Sequence, residues 1–371
     1  CADQCHGENG ECLLHSFGVV LRMDKGNVLR ARSNKLGLLL VSYSLIGIWT
    51  SCTENGHRTV DPIALEQNLT IGRLDQRLFN APLESLPSVN AGLSAEYGTF
   101  YRIYIEDILQ GAALNDPRLP MVLADFISDP DWSAAQQAVD SVLGDLEPQR
   151  LQFQDAFGRL KTLFPDSLTP RVIAFNSGFN FGIFPTDSVL GVGVEWFIGS
   201  NSPVIGLLAP DAFPQFMKDR MVPEMLVPSA LKGWLLVHYT KDIRGEDLLT
   251  NLVETGKVMA ILDVLLPYTH PDLKFAFTKE QLAWCEANEF EIWKNLVSDE
   301  KLFSKQADDI GRMLNDGPFT NGLPRESPGH IGEWIGYRMV TAYLSENPDV
   351  SFAQLIAIED PKVILKAYKP K

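Results

Sequence analysis

Two stretches decide the fold, Arg171-Val172-Ile173-Ala174-Phe175 and Val189-Leu190-Gly191-Val192-Gly193-Val194-Glu195-Trp196-Phe197. Each is short, apolar but for Arg171 and Glu195, and rich in β-branched residues, the signature of a buried strand. The turn Asn176-Ser177-Gly178-Phe179-Asn180 separates them, and Phe181 to Phe184 reads as a further short strand. Gly199-Ser200-Asn201-Ser202-Pro203 closes the second stretch. Upstream, Leu69 to Leu74 alternates and reads as a first strand.

Helical spacing dominates elsewhere. On the N-terminal side, Leu93 to Gln110, Met121 to Ile127, Trp132 to Leu146 and Leu151 to Phe164 read as helices. On the C-terminal side the helices run about Pro214 to Asp219, Pro228 to Ile243, Asp247 to Leu266, Thr278 to Val297, Glu300 to Arg312, Ile331 to Ser345 and Ser351 to Ile358. No βαβ alternation is visible. The expected class is α+β, mainly helical, with a small central β-sheet.

The N-terminus carries a targeting pattern. Lys25, Arg30, Arg32 and Lys35 precede the apolar run Leu36 to Trp49, and Thr50-Ser51-Cys52 follows. Basic, apolar and small residues in that order before a cysteine form a lipoprotein signal peptide. Residues 23–51 are therefore read as the signal, with cleavage before Cys52. Covalent diacylglycerol and an N-acyl chain such as palmitate on Cys52 are the only non-protein groups expected. Residues 1–22 precede Met23 and are read as an over-extended reading frame. Residues 52–65 read as a polar tether and 66–371 as a single domain.

The mature chain, 320 residues from Cys52, suffices for one large domain. The whole chain has charge −15; residues 1–51 hold four acids and five bases, so the mature part stands at −16. Such acidity argues against nucleic acid as a partner, since phosphate binding needs clustered Lys and Arg. Beyond Cys52 the single cysteine is Cys285, in an apolar helical context, which excludes a disulfide within the mature domain.

Three constellations bear on chemistry. Gly191 and Gly193 lack the third glycine and following helix of a nucleotide loop, and read as strand glycines that allow close packing. His238 and Asp242 stand four apart on an apolar helix and are expected to share a face. A zinc peptidase helix carries two histidines at that spacing and a glutamate base after the first. Here Tyr239 replaces the glutamate and Asp242 the second histidine, while Glu254 lies one residue out of register for a third ligand. The plainer reading makes His238 a hydrogen-bonded core residue. Finally, Gly332 and Gly336 stand four apart in Ser327 to Tyr337. They read as a tight helix contact, or else as part of a groove lined by His330, Glu333 and Arg338.

Several strings carry a family resemblance: Arg73-Leu74-Asp75, Phe175 to Asn180, Leu190 to Val194, Gly256-Lys257 through Leu262-Asp263 to Leu266-Pro267, and Ser327-Pro328-Gly329 to Trp334-Ile335-Gly336. With them the chain resembles the gliding-motility lipoprotein GldB family of the Bacteroidetes, from about Ile71 to Lys371. The resemblance implies a zincin-like, metallopeptidase-like architecture with a degenerate metal motif at His238 and Asp242 and no bound metal. It implies a non-enzyme: a cell-envelope lipoprotein acting by protein binding in gliding motility and associated secretion. Its partners would be other gliding and secretion proteins of the envelope, and it would hold the membrane through its lipid. Thr53 after Cys52 is no retention aspartate, which favours the periplasmic face of the outer membrane. The alternatives are a zinc-dependent metallohydrolase using His238 and Asp242, and a solute-binding lipoprotein.

Overall fold

The computed structural model describes residues 58–65 and 68–371, with the two-residue segments 13–14 and 19–20. The signal at 23–51, Cys52 and most of residues 1–22 lie outside the described residues. The strands are β1 (Leu13–Leu14), β2 (Val19–Val20), β3 (Ile71–Arg73), β4 (Arg171–Phe175), β5 (Ile183–Pro185) and β6 (Val189–Gly193). They lie in the order β1-β2-β5-β6-β4-β3. β3, β4 and β6 run parallel, with Ile71 opposite Val172 and Val172 opposite Leu190. β5 pairs antiparallel with β6, Ile183 facing Val192.

Side-chain alternation explains why these strands are apolar throughout. Val172, Ala174, Leu190 and Val192 enter one core cluster, whereas Ile173 and Phe175 enter the other. Both faces of the sheet are covered, and a strand buried on both sides loses the polar half of its period. The lack of a side chain at Gly191 admits the Phe100 ring, which a Cβ would meet at 2.7 Å.

The parallel pairing was not expected from a chain without βαβ alternation. The chain between β3 and β4 is a set of helices rather than one crossover helix. It includes α1 (Leu74–Phe79), α2 (Leu86–Tyr97), α3 (Pro130–Leu143) and α4 (Glu147–Leu163). The helix expected over Leu93 to Gln110 is broken at Gly98, whose φ of 53° favours glycine. It resumes as Thr99–Ile103 and a π turn, Tyr104–Ile108.

The second half is organised by α5 (Leu226–His238), α6 (Leu248–Leu265) and α7 (Gly332–Glu346). α6 is buried all round, Asp263 excepted, including Asn251, Glu254 and Lys257. α5 ends at His238, five residues short of the expected Ile243. Beyond it, Asp242 accepts from its neighbour's backbone at Arg244 N, 3.1 Å, and Gly245 turns the chain with φ 76°. This local turn overrides the apolar spacing that continues to Ile243.

Segment 58–65 is no free tether. Arg58 donates to the carbonyls of Leu344 (3.0 Å), Asn347 (2.8 Å) and Val350 at the end of α7. Ile63 N donates to Gly158 O at 3.3 Å, and Thr162 Oγ1 donates to Asp61 O at 2.9 Å. The segment is strapped across α4 to the end of α7.

Candidate functional site

His238 is the last residue of α5, which packs on β5 and β6. Its ring lies against Trp234, with centroids 3.7 Å apart. Nε2 sits 3.0 Å from Thr186 O, an acceptor, so this nitrogen carries a proton. Partial burial pulls the imidazole below its ordinary value, against the pull of Thr186 and Asp187. Asp242 does not share its helical face, because the helix has ended. It is exposed, and Arg244 holds both carboxylate oxygens, at 2.8 Å to Oδ1 and in an ion pair to Oδ2. That guanidinium pulls the Asp242 carboxyl down to about 2. Glu254 lies buried on α6, 2.7 Å from Lys257 Nζ. Among the described residues no group of three or more His, Cys, Asp and Glu side chains is gathered around a metal-sized point.

The proposed groove residues also diverge. His330 is buried between Phe275 O (2.9 Å) and Asp316 Oδ1 (3.1 Å). Glu333 is buried with Lys232, and Arg338 pairs with Glu289 at 3.0 Å. Around Gly332 and Gly336 the chain is packed shut: a Cβ on Gly336 would overlap the Leu252 carbonyl. The helix-contact reading holds and the groove reading is corrected. Cys285 is buried, and desolvation pushes its thiol far up. An inert structural thiol fits that environment.

A different polar cluster lies at the C-terminal ends of the parallel strands, where open α/β sheets place their ligands. Arg73, ending β3, donates to Asp75 at 2.9 and 2.7 Å. Gln136 on α3 donates to Asp75 Oδ2 (3.1 Å) and accepts from Asn176, just beyond β4, at 3.2 Å. The backbone carbonyl of Asn176 accepts from Tyr104 Oη at 2.8 Å. Glu195, two residues past β6, receives three donors on one oxygen: Ser177 N (2.8 Å), Ser177 Oγ (2.7 Å) and Phe179 N (3.1 Å). Among the described residues its other oxygen, Oε2, has no hydrogen-bond partner, nor has the neighbouring Trp196 Nε1. Phe179, Trp196 and Phe213 pack ring against ring over this corner, and Trp132 packs on Phe179.

Sequence reading missed Glu195 and Gln136 as site residues. It did single out Arg73-Leu74-Asp75 and Phe175 to Asn180, two strings that the cluster joins. Burial pushes the Glu195 carboxyl up from 4.5 to about 7, against the pull of the Ser177 and Phe179 donors. A raised folded value means stability that is full below pH 4.5 and is lost as pH rises through 7. The interval is worth about 3 kcal/mol. Glu195→Gln keeps an acceptor oxygen and removes the charge. Thermal melts of this variant should therefore lack the wild-type loss between pH 5 and 8 and exceed the wild type at pH 8. Parallel pH profiles would show that Glu195 is not the titrating group.

The fold is a mainly helical α+β domain around a small mixed sheet. Over residues 55–370 it matches the model of the family described as gliding motility protein GldB. The chain belongs to that family, a family of lipoproteins of the cell envelope, and is involved in gliding motility. The match begins ahead of the strap at 58–65, which thus belongs to the family's domain. No curated protein and no solved structure matches the chain. Among the described residues no helix is long and apolar enough to cross a membrane.

Proposed function

We propose that this protein is a lipid-anchored, non-catalytic component of the gliding and associated secretion apparatus. Diacylglycerol and an N-acyl chain on Cys52 would hold it at the periplasmic face of the outer membrane. It would act by binding other envelope proteins of that apparatus. The observation that carries this reading is the family match over residues 55–370. The basic, apolar, small, cysteine order from Lys25 to Cys52 supports the anchor. We further read the architecture as zincin-like with an eroded metal helix. In support, α5 lies on the sheet and ends at His238, while Asp242 is taken by Arg244 and Glu254 by Lys257.

The test is a Cys52→Ser variant expressed in the native envelope beside the wild type. It should incorporate no labelled palmitate, remain unprocessed and lose the envelope proteins that cross-link to the wild type. If the variant takes up label and fractionates like its parent, the lipoprotein reading fails. If it is unanchored yet keeps its cross-linked partners, the lipid is dispensable for binding.

A further inference from the structure

We propose that the end of the domain built from the last turn of α7 and residues 361–371 lies against an anionic lipid surface. The contact rests on the Cys52 anchor proposed above and names the face which that anchor presents. Five residues separate Cys52 from Arg58, six Cα-to-Cα steps with a reach of about 20 Å at full extension. Arg58 is fixed by three carbonyls at the end of α7, those of Leu344, Asn347 and Val350. An anchor at Cys52 therefore pulls on this end of the body and no other.

The chemistry of that end suits the position. Residues 361–371 hold Lys362, Lys366, Lys369 and Lys371 and no acid, in a chain whose net charge is −15. All four lysines are exposed. Lys369 Nζ lies 3.2 Å from Glu346 Oε1, the last residue of α7, which places the segment beside the Arg58 anchorage. Lys362 Nζ stands 5.5 Å from the centroid of Phe303, a half-exposed ring, and Val363 is exposed next to it. Lysines among exposed apolar side chains meet an anionic interface with both charge and apolar area. Exposed acids adjoin the segment, Glu359 and Asp360 just before it and Glu346 paired with Lys369, so the lysine side chains themselves, rather than the net charge of this end, would meet the lipid. The orientation follows from a strap, a short leash and a run of four exposed lysines converging on a single helix end.

The lipoprotein is extracted from membranes and reconstituted in phosphatidylcholine vesicles with brominated acyl chains, with or without phosphatidylglycerol. A fluorophore is placed through Lys366→Cys, or through Met121→Cys on the remote helix Leu119–Ser128, where Met121 is 59 % exposed. Cys285 is buried and stays unlabelled. Bromolipid should quench the label at 366 several-fold more than the label at 121, and more so with phosphatidylglycerol. Each lysine reversed, as in Lys362→Glu and then Lys362→Glu with Lys369→Glu, should weaken the contact about fivefold or more. Equal quenching at both positions, or quenching at 366 indifferent to phosphatidylglycerol and charge reversal, overturns the proposal. Shielding at 366 that appears only with other envelope proteins present overturns it too, in favour of a protein partner. Mass spectrometry of the N-terminus in the same preparation reads the anchor separately, and unanchored protein still reports the surface through its partition into the vesicles.

Discussion

Gly336→Ala is expected to be among the most damaging single substitutions in the protein, although it adds one methyl group. α6 and α7 cross backbone to backbone. A Cβ on Gly336 would fall on the Leu252 carbonyl oxygen, and a Cβ on Gly256 would fall on the Gly336 carbonyl. Neither obstacle is a flexible side chain, so relief requires moving one helix. α6 is buried nearly all round, and moving it disturbs the larger core cluster. Overpacking ordinarily costs about 1–3 kcal/mol, and a backbone obstacle places this case at or above the upper end. The melting temperature should fall by roughly 5 °C or more. Gly332→Ala should cost less, because part of its obstacle is the Leu252 Cδ2 methyl at 2.7 Å, which can turn away; Met313 O at 2.8 Å cannot. Gly206→Ala, with nothing within 4 Å of its Cβ, serves as the neutral control. A melting temperature for Gly336→Ala equal to that of Gly206→Ala would mean the crossing is open, and would restore the groove reading.

That crossing was legible in the sequence because two small residues four apart stand out in a bulky helix. Much of the sheet was legible for a similar reason: Val172–Phe175 and Val189–Gly193 are apolar on every residue, and that composition belongs to a doubly covered strand. Their parallel order was not, since the chain between β3 and β4 is a run of unrelated-looking helices whose contacts span a hundred residues or more. The end of α5 was misjudged because Ile243 continues the apolar spacing, while the deciding feature is a hydrogen bond from Arg244 N to the Asp242 side chain. Apolar period reports which face is buried; it is silent on local side-chain bonds that stop a helix. The Glu195 cluster is harder still. It is assembled from four places, Asp75, Gln136, Asn176 to Phe179 and Glu195, and only a known sheet order brings these together. The Arg58 strap has no periodicity at all, because its bonds run through backbone carbonyls, which any sequence carries.

Lys257→Met is expected to destabilise the domain by about 3–5 kcal/mol, the usual result of stripping one partner from a buried ion pair. Lys257 is fully buried on α6, and Glu254, one turn earlier, is 2 % exposed. The ammonium donates to Glu254 Oε1 at 2.7 Å, to Ile358 O at 2.7 Å and to Ile356 O at 3.5 Å. Methionine fills the same space but leaves a carboxylate and a carbonyl unpaired in the core. Glu254→Gln should cost less than Lys257→Met, since its amide oxygen still accepts from Lys257. In Lys257→Met with Glu254→Leu the unpaired charge is gone, so most of the loss should return. Full recovery is not expected, because the Ile358 carbonyl remains unpaired, at about 1–3 kcal/mol. Urea unfolding of the four proteins orders these cases, and a neutral Lys257→Met would refute the account. The same pair bears on function. Glu254 is the carboxylate nearest in sequence to the third-ligand position of a metal helix, and it is already committed to an ammonium that ties α6 to residues 356–358. A metal drawing on Glu254 would have to break this pair.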